Sequence, residues 1–327
     1  MSDAEQRSIT IEDLSRQLVT TPNKTRRQIY TIRSEGIDIP VRVIDVPGTG
    51  AADAPLVFVF HGGFNRAQPY PFFYGSRFVG RPDTAPRTVI ALCDPTLALS
   101  DSLRFGWFAG AEGVDVPGAV RTLLAAFVAQ IAPSRVIVTG GSIGAHAVLT
   151  HARELPGSMV VLANPLPRID DYHQPSVREY FNLCWPGHPA RAADVPQVVN
   201  DASLAYSDMT LHNEFVILLN ATDPHIYRQA APMLANLGGR TAEPERILPV
   251  SYFFPEHAGH AFPPDELTAW VDAAVMAPEP TARMAALTRE KLRAGEARPA
   301  RAKATRDDPL DIELAAQLVR ATQEART

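Results

Sequence analysis

Residues 135–151 read Arg-Val-Ile-Val-Thr-Gly-Gly-Ser-Ile-Gly-Ala-His-Ala-Val-Leu-Thr-His, and this stretch decides the fold. The β-branched residues 136–138 predict a buried strand, and the small residues that follow Gly144 predict a helix. Between them, Gly140-Gly-Ser-Ile-Gly144 has the G-x-S-x-G spacing of a nucleophile elbow. The glycines leave room for a sharp strand-to-helix turn that lifts the Ser142 hydroxyl out of the sheet. Ser142 is therefore the candidate nucleophile.

A serine nucleophile needs partners elsewhere in the chain. It is activated by a histidine base, and the base is oriented by an acid. After a strand–elbow–helix unit, the expected order along the chain is serine, acid, histidine. Asp223 follows the apolar run Phe215–Leu219, and His260 lies in a loop after the apolar residues 250–254. The sequence therefore predicts a triad of Ser142, His260 and Asp223.

Other residues compete for two of these roles. His257 lies in the same loop as His260, which we favour because the glycine before it lets the loop bend over the sheet. Asp170 and Asp171 follow the preceding apolar strand and are alternative acids. We favour Asp223 because it comes directly after a strand, in the context Asn-Ala-Thr-Asp-Pro.

The oxyanion hole requires two backbone N–H groups aimed at the developing negative charge. One is expected from Ile143, the residue after the nucleophile. The other is expected from the loop His61-Gly-Gly-Phe64, which follows the apolar strand 55–61. Gly63 and Phe64 are both candidates for this second donor. His61 itself is predicted to hold this loop rather than to act as a base.

Aromatic residues are frequent around the predicted mouth of the site. Aromatic side chains suit the walls of an acyl pocket or of a sugar pocket. We expect Trp107, Tyr74 and His257 to contact the substrate. The sequence has no metal-ligand spacing and no dinucleotide or phosphate-loop signature, so it predicts neither a metal nor a cofactor.

Bulk composition limits the class of protein. The chain has 327 residues, of which 46% are apolar, and its net charge of −5 argues against nucleic acid as a partner. Two cysteines do not form a disulfide framework. The polar N-terminus is not followed by an apolar signal region, and no stretch reaches the ~18 apolar residues of a membrane span. We therefore expect a cytoplasmic protein without a membrane span.

Apolar runs alternate with helical segments along most of the chain, including a predicted helix at 224–237. This alternation predicts an α/β fold with a mostly parallel sheet and helices on both faces. We predict one domain at 1–277, with a cap inserted at about 164–213. The Ala/Arg-rich extension 278–327 has predicted helices at 281–293 and 309–325. It could be a solvated tail, or it could dock on the body or on a second subunit in a homodimer.

Residues 55–275 resemble the α/β-hydrolase superfamily, because HGGF, GGSIG, Asp223 and His260 occur in its motif order. Gly141 departs from many members, which carry a larger residue before the nucleophile. The resemblance implies the α/β-hydrolase fold. Further segments are similar to a bacterial group related to capsule-biosynthesis and accessory-secretion hydrolase-like proteins, which implies O-acetyl chemistry on glycans. These segments are His61–Arg66, Pro71–Gly75, Cys93–Thr96, Trp107–Gly110 and Asn164–Pro167.

The sequence thus predicts a serine hydrolase that cleaves a carboxylic ester through an acyl-enzyme. The expected substrate is a small-molecule or glycan ester. Transfer of the acyl group to a glycan or natural product shares the first half of this chemistry, and the inserted segment could also admit a peptide terminus. A non-catalytic binding or secretion partner is the alternative from another class, and the intact set of triad residues argues against it.

Overall fold

A nine-stranded sheet organises the protein in this computed structural model, which describes residues 7–20, 28–46, 54–63, 70–80, 85–188, 190–207, 210–238 and 243–295. The strands are β1 Arg7–Ile9, β2 Gln28–Ser34, β3 Ile37–Asp45, β4 Leu56–Phe60, β5 Thr88–Leu92, β6 Val136–Gly141, β7 Met159–Ala163, β8 Glu214–Asn220 and β9 Ile247–Tyr252. The three-residue β1 is too short to carry a periodic signal in the sequence.

Helices cover both faces of the sheet. They are α1 Ile11–Thr20, α2 Val116–Ile131, α3 Gly144–Ala152, α4 Gln174–Cys184, α5 Ala231–Gly238, α6 Pro264–Met276 and α7 Ala282–Ala294. In the central β4, Phe58 and Phe60 pack on the face of α1, α2 and α3, whereas Val57 and Val59 pack on the face of α6 and α7. Each such side chain contributes about 1.5–3 kcal/mol by its burial. Of the described helices, none is long and apolar enough to cross a membrane.

The strand order puts a topological switch point at the carboxyl end of β4. The order is β1-β2-β3-β5-β4-β6-β7-β8-β9, with β3 antiparallel to both of its neighbours and β4 to β9 parallel. β5 and β6 lie on opposite sides of β4. The chain therefore passes from β4 to β5 on one side and then crosses to β6 on the other side. Ligands bind at such topological switch points. His61–Gly63 follow the end of β4, and Ser142 follows the end of the neighbouring β6.

The segment between β7 and β8, which we predict to be a cap, is bound to the elbow helix. The imidazole Nε2 of His146 in α3 hydrogen-bonds the carbonyl of Val199 at 2.7 Å. The hydroxyl of Tyr206 donates to the carbonyl of Leu149 in α3 at 2.8 Å. Two hydrogen bonds from separate parts of the segment thus fix it to α3.

The first helix of the C-terminal extension lies on the body of the protein. Ala282 at the start of α7 is buried, and its backbone N–H donates to Glu214 at 3.0 Å. Arg289 donates to both carboxylate oxygens of Glu266 in α6, at 2.8 and 2.9 Å. The predicted helix at 309–325, and with it the expected homodimer surface, lies outside the described residues.

Three histidines near the elbow are buried in the interior. Burial lowers the pKa of His61 to about 4 and that of His151 to about 3, and it also lowers the pKa of His146. His151 stacks on the ring of Phe60 with centroids 5.5 Å apart, and its Nε2 has no hydrogen-bond partner among the described residues. The folded protein therefore holds these three rings in their neutral form.

Replacing His151 by leucine is expected to flatten the pH dependence of stability. In the unfolded chain His151 takes up a proton near pH 6.5, whereas in the folded protein it does so only near pH 3. Between these values the free energy of unfolding falls as the pH falls, by about 1.4 kcal/mol per pH unit. Urea unfolding at pH 7.5 and 5.5 should show the wild type losing about 1.4 kcal/mol more than His151→Leu. Equal losses in both proteins would contradict the lowered pKa of His151 in the folded protein. His212→Asn serves as the control, because His212 is exposed.

Candidate active site

Ser142 lies at the apex of a tight turn between β6 and α3. Its φ of 54° is in the left-handed region, which costs a non-glycine residue about 1–3 kcal/mol. Three backbone bonds hold it there: its N–H donates to Ala163 at 3.0 Å, and its carbonyl accepts from Ala145 at 3.1 Å and from Leu166 at 3.0 Å. The partners lie at the end of β7, in the loop that follows it and in the first turn of α3, so the strained conformation is fixed by its surroundings.

Gly144 permits α3 to begin against the end of β4. A Cβ atom at position 144 would lie 2.7 Å from the carbonyl oxygen of His61, which is closer than real Cβ atoms approach. This close approach brings the first turn of α3 beside the loop that follows β4. The glycine of the G-x-S-x-G pattern therefore has a packing reason in this structure.

The three side chains predicted as a triad form one chain of hydrogen bonds. The Ser142 hydroxyl lies 2.9 Å from Nε2 of His260, and Nδ1 of His260 lies 2.8 Å from Oδ2 of Asp223. With Nδ1 donating to the carboxylate, Nε2 can accept the hydroxyl proton. The serine follows β6, the acid follows β8, and the histidine lies in the loop after β9.

The rival residues lie elsewhere. His257 is exposed, three residues before His260 in the same loop. Asp170 accepts from the backbone N–H of Ala192 at 2.6 Å, within the inserted segment. Asp171 pairs with Arg168 at 2.7 Å. None of the three contacts Ser142 among the described interactions.

Asp223 is surrounded by donors from two histidines. Besides the bond from His260, its Oδ1 accepts from Nδ1 of His225 at 2.8 Å and from the backbone N–H of His225 at 2.9 Å. Burial would raise the pKa of Asp223, but the hydrogen bonds from His225 and His260 and the charge of His260 hold it well below its usual value. The carboxylate is therefore ionised throughout the range in which enzymes work.

Two asparagines that follow buried strands hold the histidine loop in place. Nδ2 of Asn220, at the end of β8, donates to the carbonyl of His257 at 2.6 Å and to that of Ala261 at 2.9 Å. Nδ2 of Asn164, which follows β7, donates to the carbonyl of His260 at 2.7 Å. The sequence predicts a role for neither asparagine, although Asn220 ends an apolar strand and Asn164 directly follows one, where side chains reach the edge of the sheet.

The loop after β4 brings candidate oxyanion donors next to the elbow. The backbone N–H groups of Gly63 and Ile143 have no acceptor among the described residues. A Cβ atom at Gly63 would overlap the ring of Phe105, so this backbone packs directly against that ring. Phe64, the other candidate for the second donor, lies outside the described residues.

Buried Asp94 connects the loop after β4 to the segment 105–108, called here the aromatic loop because it contains Phe105, Trp107 and Phe108. Its backbone N–H donates to Nε2 of His61 at 3.0 Å, which holds that ring in place as a neutral acceptor. Its carboxylate accepts from the N–H groups of Thr96 at 2.9 Å and Phe108 at 2.8 Å. Desolvation by burial raises the pKa of Asp94 to about 6. Asp94 thus holds both loops, the first through its backbone N–H and the second through its carboxylate.

The predicted substrate contacts are spread over different environments. Trp107 is 2% exposed and, with a φ of 52°, sits in a strained part of the aromatic loop. Its ring packs against Phe105 and Tyr172, with centroids 6.1 and 5.8 Å away. Tyr74 is half-buried, and His257 is exposed. Their contacts with substrate stay predictions.

One group of side chains has the composition of a metal site. Ligand-type atoms of Asp223, His225 and His260 lie within 4.8 Å of one another. In this structure those groups hydrogen-bond one another, as the two imidazoles donate to the carboxylate. The absence of a metal and of a cofactor from the chemistry stays a prediction.

The sheet order, the elbow between β6 and α3, the acid after β8 and the histidine after β9 together decide the architecture. The chain has the α/β-hydrolase fold. This confirms the fold class predicted from the sequence. The predicted domain boundaries remain predictions.

Comparisons with known proteins give matches to solved structures only. No protein-family model and no curated protein matches the sequence. Similar structures include S-formylglutathione hydrolase from Agrobacterium tumefaciens (15% identity, TM-score 0.48, 81% of this chain and 94% of that chain). Esterase 2 from Thermogutta terrifontis is similar at 14% identity and a TM-score of 0.46, over 84% of this chain and 96% of that chain.

A further similar structure is much longer than this protein. It is the Glycosylation Associate Protein (Gap123) complex from Streptococcus agalactiae, with 14% identity and a TM-score of 0.45. The match covers 74% of this chain and 44% of that chain, so this α/β-hydrolase-fold protein spans less than half of its length.

Proposed function

We propose that this protein is a serine hydrolase that cleaves a carboxylic ester through an acyl-enzyme. The observation that supports this function is the unbroken chain of hydrogen bonds from Ser142 through His260 to Asp223, at 2.9 and 2.8 Å. Heavy-atom distances of about 2.6–3.2 Å are those across which a general base takes up a proton. Strain at the elbow further supports a functional role for Ser142, because strained residues cluster at active sites.

In the proposed first step, Ser142 attacks the acyl carbon while Nε2 of His260 takes up the hydroxyl proton. Asp223 keeps the other ring nitrogen protonated and stabilises the imidazolium that forms. The N–H of Ile143, with that of Gly63 or Phe64, donates to the oxyanion of the tetrahedral intermediate. His260 then gives its proton to the leaving alcohol, and the acyl group remains on Ser142.

In the second step, water attacks the acyl-enzyme. His260 again acts as the general base and takes a proton from the water, and a second tetrahedral intermediate forms in the same oxyanion hole. When this intermediate collapses, its bond to the Ser142 oxygen breaks, His260 gives its proton to that oxygen, and the carboxylic acid is released. A sugar or amine in place of water would turn the same intermediate into an acyl-transfer product.

The substrate class that we propose is a small-molecule or glycan ester. The aromatic loop supports it, because Phe105 lies against Gly63 and Tyr172 packs edge-on to Phe105 with centroids 5.2 Å apart. Aromatic faces of this kind pack on acyl chains and on the apolar faces of sugars.

A fluorophosphonate probe tests the proposed function most directly. The wild type is expected to be labelled covalently on Ser142, as identified by mass spectrometry of the peptide, and Ser142→Ala should not be labelled. A panel of acyl esters, acetylated glycans and aminoacyl arylamides, assayed with competing alcohols, then distinguishes hydrolysis, acyl transfer and peptidase activity. A folded wild type that neither reacts with the probe nor turns over any of these substrates would refute the proposal.

A further inference from the structure

A second imidazole contacts the candidate catalytic acid. His225 follows Asp223 by two residues, and both its ring Nδ1 and its backbone N–H bond Oδ1 of Asp223, at 2.8 and 2.9 Å. The opposite oxygen, Oδ2, is the one bonded by His260. No role at the site is predicted for His225 from the sequence, although an acid and a histidine two residues apart in a tight loop can bond each other.

The His225 ring also contacts the ring of His260. The two imidazoles pack edge to face, with centroids 4.8 Å apart and planes at 72°. The His260 ring is therefore in direct contact with the His225 ring, while its two nitrogens are engaged by Asp223 and Ser142. These contacts leave the catalytic ring little freedom to tilt.

We propose that His225 is a positioning residue for the proposed hydrolase reaction. It fixes the plane of the Asp223 carboxylate through Oδ1, so that Oδ2 faces His260, and it restrains the His260 ring so that Nε2 stays aligned with Ser142. The inference rests on the proposed function, since it concerns the same hydrogen-bond chain. It adds His225 as a fourth residue to the hydrogen-bond chain of Ser142, His260 and Asp223.

His225 also affects how the negative charge of the Asp223 carboxylate is distributed between its two oxygens. The ionised groups and donors that act on Asp223 are His225 and His260, and both lower its pKa. A donor on Oδ1 draws negative charge away from Oδ2 and so weakens the stabilisation that Asp223 gives to the His260 imidazolium. Removing the ring of His225 therefore favours the protonated, inactive form of His260. The acid limb of the pH–rate profile should move to higher pH.

Three substitutions at this position separate positioning from simple packing. Asparagine can place its amide N–H close to the position of Nδ1, glutamine places its amide farther out, near Nε2, and leucine supplies no donor. All three keep the backbone N–H bond to Oδ1. We expect His225→Leu to lower kcat about tenfold with little change in KM, on the scale of one hydrogen bond to a charged group. His225→Asn should recover most of kcat, and His225→Gln should not.

The experiment measures kcat, KM and the pH profile for the best ester, and the rate of fluorophosphonate labelling for the same set of proteins. His212→Asn is the matched control, because His212 is exposed and lies before β8, at the opposite end from Asn220. Thermal unfolding checks that each variant is folded. We expect the labelling rate to follow kcat, and the acid limb of His225→Leu to lie at higher pH than that of the wild type.

Several results would overturn the inference. His225→Leu with an unchanged labelling rate and pH profile would show that the ring positions nothing. Equal losses in the asparagine and glutamine variants, with an unshifted profile, would show that the ring is needed only for packing. A folded wild type that is neither labelled nor active on any substrate of the panel would instead refute the proposed function, so the two failures are distinct.

Discussion

Replacing Ser142 by alanine is expected to lower the turnover of a short-chain aryl ester at least ~10³-fold while the protein stays folded. The substitution removes a single oxygen atom, whose described partner is Nε2 of His260 at 2.9 Å. The backbone bonds that hold residue 142 in its left-handed conformation are all made by main-chain atoms and do not depend on the hydroxyl. The variant should therefore lose the nucleophile without losing the elbow.

The measurement is kcat/KM with a chromogenic acetyl or butyryl ester, together with the midpoint of thermal unfolding. Ser102→Ala is a suitable control, since Ser102 is exposed in a turn between β5 and α2. It should retain activity within about twofold, as surface substitutions usually cost no more than ~0.5 kcal/mol. Activity of Ser142→Ala near the wild-type level would mean that another group performs the attack, and the proposed mechanism would be wrong.

The elbow could be predicted from the sequence because its signal is local. The strand, the glycines around Ser142 and the helix that follows occupy one short continuous stretch, and their order leaves few alternative conformations. The proximity of Asp223 and His260 to Ser142 could be predicted because parallel strands bring their carboxyl ends to one edge. A residue such as Asp223, directly after β8, has to lie near the end of β6.

The supporting contacts could not be predicted, because each joins residues far apart in the chain. Asn164 bonds the carbonyl of His260, and Phe105 packs on Gly63. Their sequence neighbourhoods contain no periodic or motif signal for these pairs. Knowing that they meet requires the path of every loop at the carboxyl edge, which hydrophobic patterning does not specify.

The helix predicted at 224–237 is present in the structure, but its first part is not a regular α-helix. The structure has one π-helical turn at Ile226–Ala230, in which the Ala231 N–H donates to the carbonyl of Ile226, and α5 begins only at Ala231. Pro232 lacks the N–H that would bond residue 228, so a regular α-helical turn is incomplete there. The wider turn starts immediately after His225, the residue that bonds the acid.

Replacing Asp223 by asparagine is expected to reduce kcat by about 10⁴-fold, although the two side chains have nearly the same shape. Asparagine offers one acceptor oxygen and one NH2 donor. Oδ1 of Asp223 receives two N–H groups from His225, whereas Oδ2 receives one from His260. The amide oxygen should therefore remain at the Oδ1 position, because the opposite orientation would place the NH2 group against two donors.

In that orientation the NH2 group of residue 223 faces Nδ1 of His260. The ring then has to accept at Nδ1 and carry its proton on Nε2, where it points at Ser142 and cannot take up the hydroxyl proton. Asp171→Asn is the control that also tests the rival acid, since Asp171 pairs with Arg168 in the inserted segment. Steady-state kinetics should show Asp171→Asn within about twofold of the wild type, because a part-exposed ion pair contributes little. A large loss in Asp171→Asn with a mild one in Asp223→Asn would move the orienting acid to the inserted segment and remove the role proposed for His225.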